Sequence, residues 1–128
     1  MDTIADMLTT IINAQRVHKQ RVIVPYSRFK ATLARLLQTK GLLAQVRVKE
    51  GTRAQLVLTL AYGDDGQQVI TGVKRLSTPS QRRYVKRHHI PYTFSQKSMI
   101  ILATPRGLMD ATQARAAGVG GELICEIW

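Results

Sequence analysis

The stretch from Ala103 to Trp128, ATPRGLMDATQARAAGVGGELICEIW, constrains the fold more than any other part of the chain. The apolar run at 100–102 that precedes it has the composition of a strand, which Pro105 and Gly107 bring to an end. Asp110 followed by Gln113 is typical of a helix start, where these side chains cap backbone N–H groups. The sequence therefore predicts a strand, a loop and a helix in this order.

The glycines after this helix predict its end and a second strand. Gly118 stands where a left-handed C-terminal cap is expected. The alternating residue pattern at 122–128 predicts a strand. Gly120 and Gly121 have no Cβ, so another surface can approach the backbone closely there. We expect these two strands, with the loop and helix between them, to present backbone polar groups outward.

The N-terminal part predicts two helices and three strands. Apolar residues at helical spacing indicate a helix from Thr3 to Ala14, and Ser27 and Gly41 have the positions of a start and an end for a second helix. The remaining elements are a basic loop at 13–21 and strands at 22–24, 42–49 and 55–61.

A turn cluster at 63–66 separates this part from the rest of the chain. We therefore predict an α+β fold of two small α/β subdomains, with residues 1–62 forming helix, strand, helix, strand, strand. Residues 63–128 form a mostly β subdomain with a short helix. Residues 69–73 have the pattern of a strand, and His88 and His89 are interpreted as surface residues that a strand would direct to opposite faces.

The charge indicates a polyanionic partner. Nineteen Lys and Arg against eight Asp and Glu give a formal net charge of +11, and both halves of the chain are basic. The densest basic patch, residues 74–87, contains no acid. We expect five of its side chains to act as electrostatic anchors for phosphates: Lys74, Arg82, Arg83, Lys86 and Arg87. On the second helix, we expect Arg28 and Lys30 to reach phosphates as well.

Tyr84 stands among these arginines, and two interpretations are open. An aromatic side chain between cations suits stacking on a base or sugar together with phosphate contacts. Alternatively, the ring packs inward and only its hydroxyl forms a hydrogen bond.

The sequence does not indicate catalysis, a metal site or a membrane span. No nucleophile with a base, no paired carboxylates and no metal-binding spacing is present. The single Cys125 excludes an internal disulfide and is expected to be buried. The acidic N-terminus is unlike a signal peptide, so we expect a soluble protein. Because catalytic and metal-binding patterns are missing, we also expect no cofactor and no small-molecule substrate.

Three motifs in order resemble the family of the bacterial-type small-subunit ribosomal protein number eight. They are IADMLT at 4–9, YGDDGQQVITGVKRLSTPSQRRYV at 62–85, and the C-terminal pattern of Thr104, Arg106, Gly107, Gly118, Gly120, Gly121 and Glu122. The chain departs from the family pattern in two places. Ala103 and Pro105 stand where the family has serines, and the segment between Pro91 and Met99 lacks the family's glycine-rich, apolar character.

The resemblance implies a structural constituent of the small ribosomal subunit that binds the central domain of small-subunit ribosomal RNA and supports assembly. It implies neighbouring ribosomal proteins as further partners, on a bacterial cytoplasmic or an organellar ribosome. The C-terminal half is expected to recognise an irregular RNA helix through two segments: Thr104, Pro105, Arg106 and Gly107, and Gly120, Gly121 and Glu122. The alternative function is an accessory or catalytic subunit of an RNA-modifying system.

Two interpretations of these C-terminal segments remain open. In the first, Thr104 contacts a sugar or base edge, Gly121 lets RNA approach the backbone, and Glu122 accepts from a base amino group or holds the loop. In the second, the glycines only make a turn and Glu122 only caps nearby N–H groups.

Overall fold

The structure is a computed structural model that describes residues 2–93, 95 and 97–128. It confirms an α+β fold with antiparallel sheets. The elements in chain order are α1 (Thr3–Arg16), β1 (Arg21–Pro25), α2 (Arg28–Thr39), β2 (Leu43–Lys49), β3 (Gln55–Leu60), β4 (Val73–Arg75), β5 (Tyr84–Val85), a 3-10 helix (Arg87–His89), β6 (Met99–Thr104), β7 (Gly107–Asp110), α3 (Ala111–Ala117) and β8 (Gly121–Ile127).

The first compact unit comprises residues 3–71. Its sheet has the order β1-β3-β2, and Leu56, Leu58 and Leu60 of the central strand are buried. Helix α1 packs against β1, and α2 packs against β2. The second helix begins as predicted, because the Ser27 hydroxyl oxygen accepts a hydrogen bond from the Lys30 backbone N–H at 3.1 Å. The predicted order of elements in this unit is confirmed, although α1 continues to Arg16 into the expected loop.

Residues 63–71 lie with this first unit rather than with the second. The Gln15 side-chain oxygen accepts hydrogen bonds from the backbone N–H groups of Val69 and Ile70, at 3.0 and 3.2 Å. These N–H groups are therefore not part of a β-ladder, and the strand predicted at 69–73 is wrong; β4 begins only at Val73. The division of the chain into subdomains at 1–62 and 63–128 stays a prediction.

The second unit comprises Asp2 and residues 72–128. Its central strand is β8, which pairs along one edge with β4 and β5 and along the other with β6. The outer strand β7 pairs with β6, and α3 packs against both. The core of this unit is formed by the buried residues Ile90, Ile100, Leu102, Ala111, Ala114 and Leu123.

The helix α3 has the predicted ends. Asp110 and Gln113 form a reciprocal capping box, and Gly118 at the C-terminal end has a left-handed φ of 69°. Two local predictions are wrong. The segment before Asp110 is the strand β7 rather than a loop, and His88 and His89 lie on a 3-10 helix, although both are exposed as expected.

Candidate nucleic-acid interface

The start of β8 brings the two predicted segments, 104–107 and 120–122, next to part of the basic segment 74–87. Glu122 is the register partner of Tyr84 on one side of β8 and of Ala103 on the other side. Strand β5 belongs to the basic segment, and the hairpin turn at 104–107 joins β6 to β7. The end of the sheet at which β8 begins therefore carries the hairpin turn and the β5 part of the basic segment, whereas Lys74 pairs with Glu126 near the other end of β8.

Close packing of the chain's own strands requires the two glycines before Glu122. A Cβ added at Gly121 would overlap the carbonyl oxygen of Ala103, and one at Gly120 would overlap the carbonyl oxygen of Val85. The backbone that approaches Gly121 on this side is therefore strand β6. Contact between RNA and the Gly121 backbone stays a prediction, because β6 fills only the side that a Cβ would take.

The hairpin turn between β6 and β7 is held by the Thr104 hydroxyl. This hydroxyl donates to the carbonyl oxygen of Gly107 at 2.8 Å and accepts from the backbone N–H of Arg106 at 3.1 Å. Gly107 has a φ of 110°, which favours glycine. Pro105, Arg106 and Gly107 are exposed, so the turn presents a cation and backbone groups to solvent. The Thr104 proton is engaged within the turn, which leaves only an acceptor lone pair for a ligand.

The cations of the basic segment are exposed, apart from the half-buried Arg75. The side chains expected to anchor phosphates, Lys74, Arg82, Arg83, Lys86 and Arg87, all belong to exposed residues. Tyr84 is 68% exposed, which rules out the interpretation in which its ring packs inward. An aromatic ring and several cations therefore face solvent on one side of β8.

A buried serine that the sequence pattern did not single out holds this segment in place. Ser77 is fully buried; its hydroxyl oxygen accepts from the Arg83 backbone N–H at 2.8 Å and donates to the Arg83 carbonyl at 3.3 Å. The same carbonyl accepts from the Leu123 N–H of β8 at 2.9 Å. The segment is therefore tied to the sheet rather than a loose loop. The Ser-Thr-Pro-Ser run at 77–80 has the composition of a loop, but composition does not indicate which hydroxyl turns inward.

Glu122 forms an ion pair with Arg82. The Arg82 Nη1 atom lies 3.3 Å from each carboxylate oxygen, and the side chains are 58% exposed for Arg82 and 13% for Glu122. An ion pair with one exposed partner contributes about 1 kcal/mol or less to stability. This contact with the basic segment was not among the roles considered for Glu122, and those roles stay predictions.

The two cations expected on α2 differ in exposure. Arg28 is exposed, whereas Lys30 is only 5% exposed. Helical periodicity explains the difference, because Lys30 shares a face with the buried Leu33, Ala34 and Leu37. The expectation that Lys30 reaches a phosphate is corrected accordingly.

The buried thiol of Cys125 has low chemical reactivity. Burial raises its pKa to about 12, although nearby Arg75 acts in the opposite direction. Within residues 2–93, 95 and 97–128, no three His, Cys, Asp or Glu side chains are grouped to hold a metal ion. No helix in the same ranges has the length and apolar character to cross a membrane.

Comparison with known proteins identifies the family of the chain. The family model for ribosomal protein S8 matches residues 2–128. A protein of Sorangium cellulosum named small ribosomal subunit protein uS8 is 48% identical, over 99% of this chain and 98% of its own length. Proteins of the same name from Nitratidesulfovibrio vulgaris and Syntrophomonas wolfei are 45% and 41% identical, over 99% of this chain and 98% and 97% of their lengths. The chain therefore belongs to the ribosomal protein S8 family, whose members are structural ribosomal proteins and not enzymes.

Proposed function

We propose that this chain is a component of the small ribosomal subunit that binds the central domain of small-subunit ribosomal RNA directly and supports its assembly. The observation that carries the proposal is the meeting of two exposed segments at the start of β8. One segment supplies cations and Tyr84, and the other supplies Arg106 and the backbone of a tight turn.

The chemistry of these segments suits a double-helical RNA. Such helices are recognised mainly by shape and by contacts to phosphates and 2′-hydroxyls, which require cations, backbone N–H groups and hydroxyls. The chain contains no acidic residue between Asp65 and Asp110, so these cations attract phosphates, and Glu122 is the acid that the fold brings to them through its ion pair with Arg82. The cations position the protein, and the turn at 104–107 distinguishes the cognate helix.

We assign to the N-terminal unit contacts with neighbouring RNA and ribosomal proteins. Arg28 is exposed at the start of α2 and is the candidate phosphate contact there. The relatives compared above are bacterial, which favours a ribosome in the bacterial cytoplasm over an organellar one. No observation favours the alternative of an RNA-modifying subunit.

Co-sedimentation with small ribosomal subunits tests the place of the protein in the particle. We expect the tagged chain to sediment with small subunits and to remain bound after a moderate salt wash. Cells depleted of the chain are expected to accumulate incomplete small subunits. Recovery only in the unbound fractions would contradict the proposal.

Charge removal at the interface tests the binding surface itself. Replacing Arg87 or Arg106 with alanine is expected to reduce the slope of log affinity against log salt by about 1, because each variant leaves one phosphate without its cation. Arg53→Ala is the matched control, because Arg53 is exposed in the turn between β2 and β3 and carries the same charge. Equal effects of all three substitutions would assign the binding to net charge rather than to this surface.

A further inference from the structure

A second aromatic side chain, Tyr92, lies outside the interface described above and is 77% exposed. The guanidinium carbon of Arg115, on α3, lies 4.1 Å from the centre of its ring. This distance is that of a cation–π contact in which the guanidinium covers one ring face. The opposite face of the ring is available to solvent.

The two residues before Tyr92 are held in place by contacts with the rest of the unit. The Arg115 Nη1 atom also donates to the carbonyl oxygen of Pro91 at 3.3 Å, so one guanidinium contacts two successive residues. Ile90, two residues before Tyr92, is 5% exposed and belongs to the core of the C-terminal unit. A ring fixed in this way loses little conformational entropy when a planar ligand stacks on it.

The charge around Tyr92 favours a nucleic acid as the source of that ligand. The 3-10 helix carrying the exposed Arg87 packs against α3, the helix that carries Arg115. Tyr92 also follows the basic segment in a part of the chain that has no acid between Asp65 and Asp110. Phosphates drawn to these cations bring bases to the same side of the unit.

We propose that the open face of Tyr92 stacks an unpaired base of the bound RNA, with Arg115 as the positioning residue behind the ring. The inference rests on the proposed function, since the RNA must first be held by the basic segment and the hairpin turn. Single-stranded or bulged bases are the part of an RNA that aromatic side chains recognise by stacking.

A structural role alone predicts different behaviour. If the pair only packs the segment after Ile90 against α3, the ring contributes to stability but never meets a base. Replacement of Tyr92 would then alter the melting temperature, whereas the environment of an unpaired base in bound RNA would stay the same.

The test uses 2-aminopurine, a fluorescent base whose emission is quenched by stacking. The probes are short RNA helices with one bulged 2-aminopurine placed at successive positions, together with the fully paired helix. The proteins are the full-length wild type, Tyr92→Phe, Tyr92→Leu and the control Tyr26→Leu, which removes a 41% exposed tyrosine from the other unit. Circular dichroism and Trp128 fluorescence verify folding.

We expect at least one bulge position at which the wild type, Tyr92→Phe and Tyr26→Leu quench the probe and Tyr92→Leu does not. At that position, Tyr92→Leu is expected to weaken binding about 5- to 150-fold, the range typical for removal of one stacked base. Its affinity for the fully paired helix should be unchanged. Arg115→Gln is expected to give partial quenching, because the ring keeps its face but is no longer held by the guanidinium.

Three results would overturn the inference. Equal quenching by all variants at every bulge position would mean that no base stacks on Tyr92, and the proposed function would stand. Equal weakening of bulged and paired helices by Tyr92→Leu would assign the effect to the fold or to general binding. Failure of the wild type to bind any of the RNAs would overturn both the inference and the proposed function.

Discussion

Replacing Ser77 with alanine tests whether the basic segment is held in a defined position. The Ser77 hydroxyl is the acceptor for the Arg83 backbone N–H at 2.8 Å, and the side chain is fully buried. The Arg83 carbonyl keeps its hydrogen bond from the Leu123 N–H in the variant. The substitution therefore removes one well-formed hydrogen bond and leaves one backbone donor without its partner.

The expected decrease in stability follows from these hydrogen bonds. A typical intramolecular hydrogen bond contributes about 1 kcal/mol, and a buried donor left unsatisfied costs about 1 to 3 kcal/mol. Because Arg83 lies on an exposed segment, water reaches part of the site, and we expect the free energy of unfolding to fall by about 1 to 2 kcal/mol. RNA affinity should fall about 5- to 30-fold, since binding must now order about one more residue.

Urea unfolding followed by Trp128 fluorescence measures the free energy of unfolding. Trp128 is the only tryptophan, and its backbone exchanges two hydrogen bonds of 3.0 Å with Gly72, so it reports on the C-terminal unit. Ser80→Ala is the matched control, because Ser80 is exposed in the same segment, and its effect should stay within about 0.5 kcal/mol. Identical urea midpoints for the two variants would refute this account of how the segment is held.

Three further predictions follow from the packing of the C-terminal unit. Gly121→Ala should lower the free energy of unfolding by about 3 kcal/mol or more, because its Cβ collides with strand β6, whereas Gly63→Ala, with its nearest neighbour at 3.6 Å, should have a small effect in thermal unfolding. At pH 8 the Cys125 thiol should react with a thiol reagent about a thousandfold more slowly in the folded than in the unfolded protein, because its pKa is raised from 9.0 to about 12. Because the folded state favours the protonated thiol, the contribution of Cys125 to stability is complete below pH 9 and is lost as the pH rises toward 12. Complete labelling of the folded protein within minutes would contradict the predicted slow reaction. Thr104→Ala should weaken binding to the cognate RNA, whereas Thr104→Ser should retain it, because only the serine keeps the hydrogen bonds that shape the turn. Wild-type affinity of Thr104→Ala in a titration would show that the RNA does not recognise the turn.

Features set by neighbouring residues could be predicted from the sequence. Ser27 and Asp110 start helices because their side chains reach backbone N–H groups three residues later. Gly118 ends α3 because it adopts a left-handed conformation. The exposure of the basic segment also follows from its composition, since a run of cations without acids cannot be buried at low cost.

Features set by distant residues could not be predicted. Residues 69 and 70 have the composition of a strand, but their N–H groups bind Gln15, more than fifty residues earlier. Strand β7 exists because Gly107 lets the chain turn back onto β6. The glycine pair indicated a close approach of some surface, and only the tertiary fold identifies that surface as β6 for Gly121.

The burial of Lys30, by contrast, could have been predicted from the sequence pattern. Its charge suggested contact with phosphate, but its helical phase places it beside buried leucines. The sequence pattern contained that phase, since residues 30, 33 and 37 share one face of α2. The roles of the remaining candidate residues in RNA binding stay predictions.

The affinity of the purified chain for a transcript of the central domain of small-subunit ribosomal RNA tests the central claim most directly. It is compared with a scrambled transcript of equal length at the same salt concentration, because electrostatic binding alone attracts both. We predict that the central-domain transcript binds at least about a thousandfold more tightly, the lower end of what specific recognition of a nucleic acid achieves. Equal affinities for the two transcripts would contradict direct recognition of this RNA.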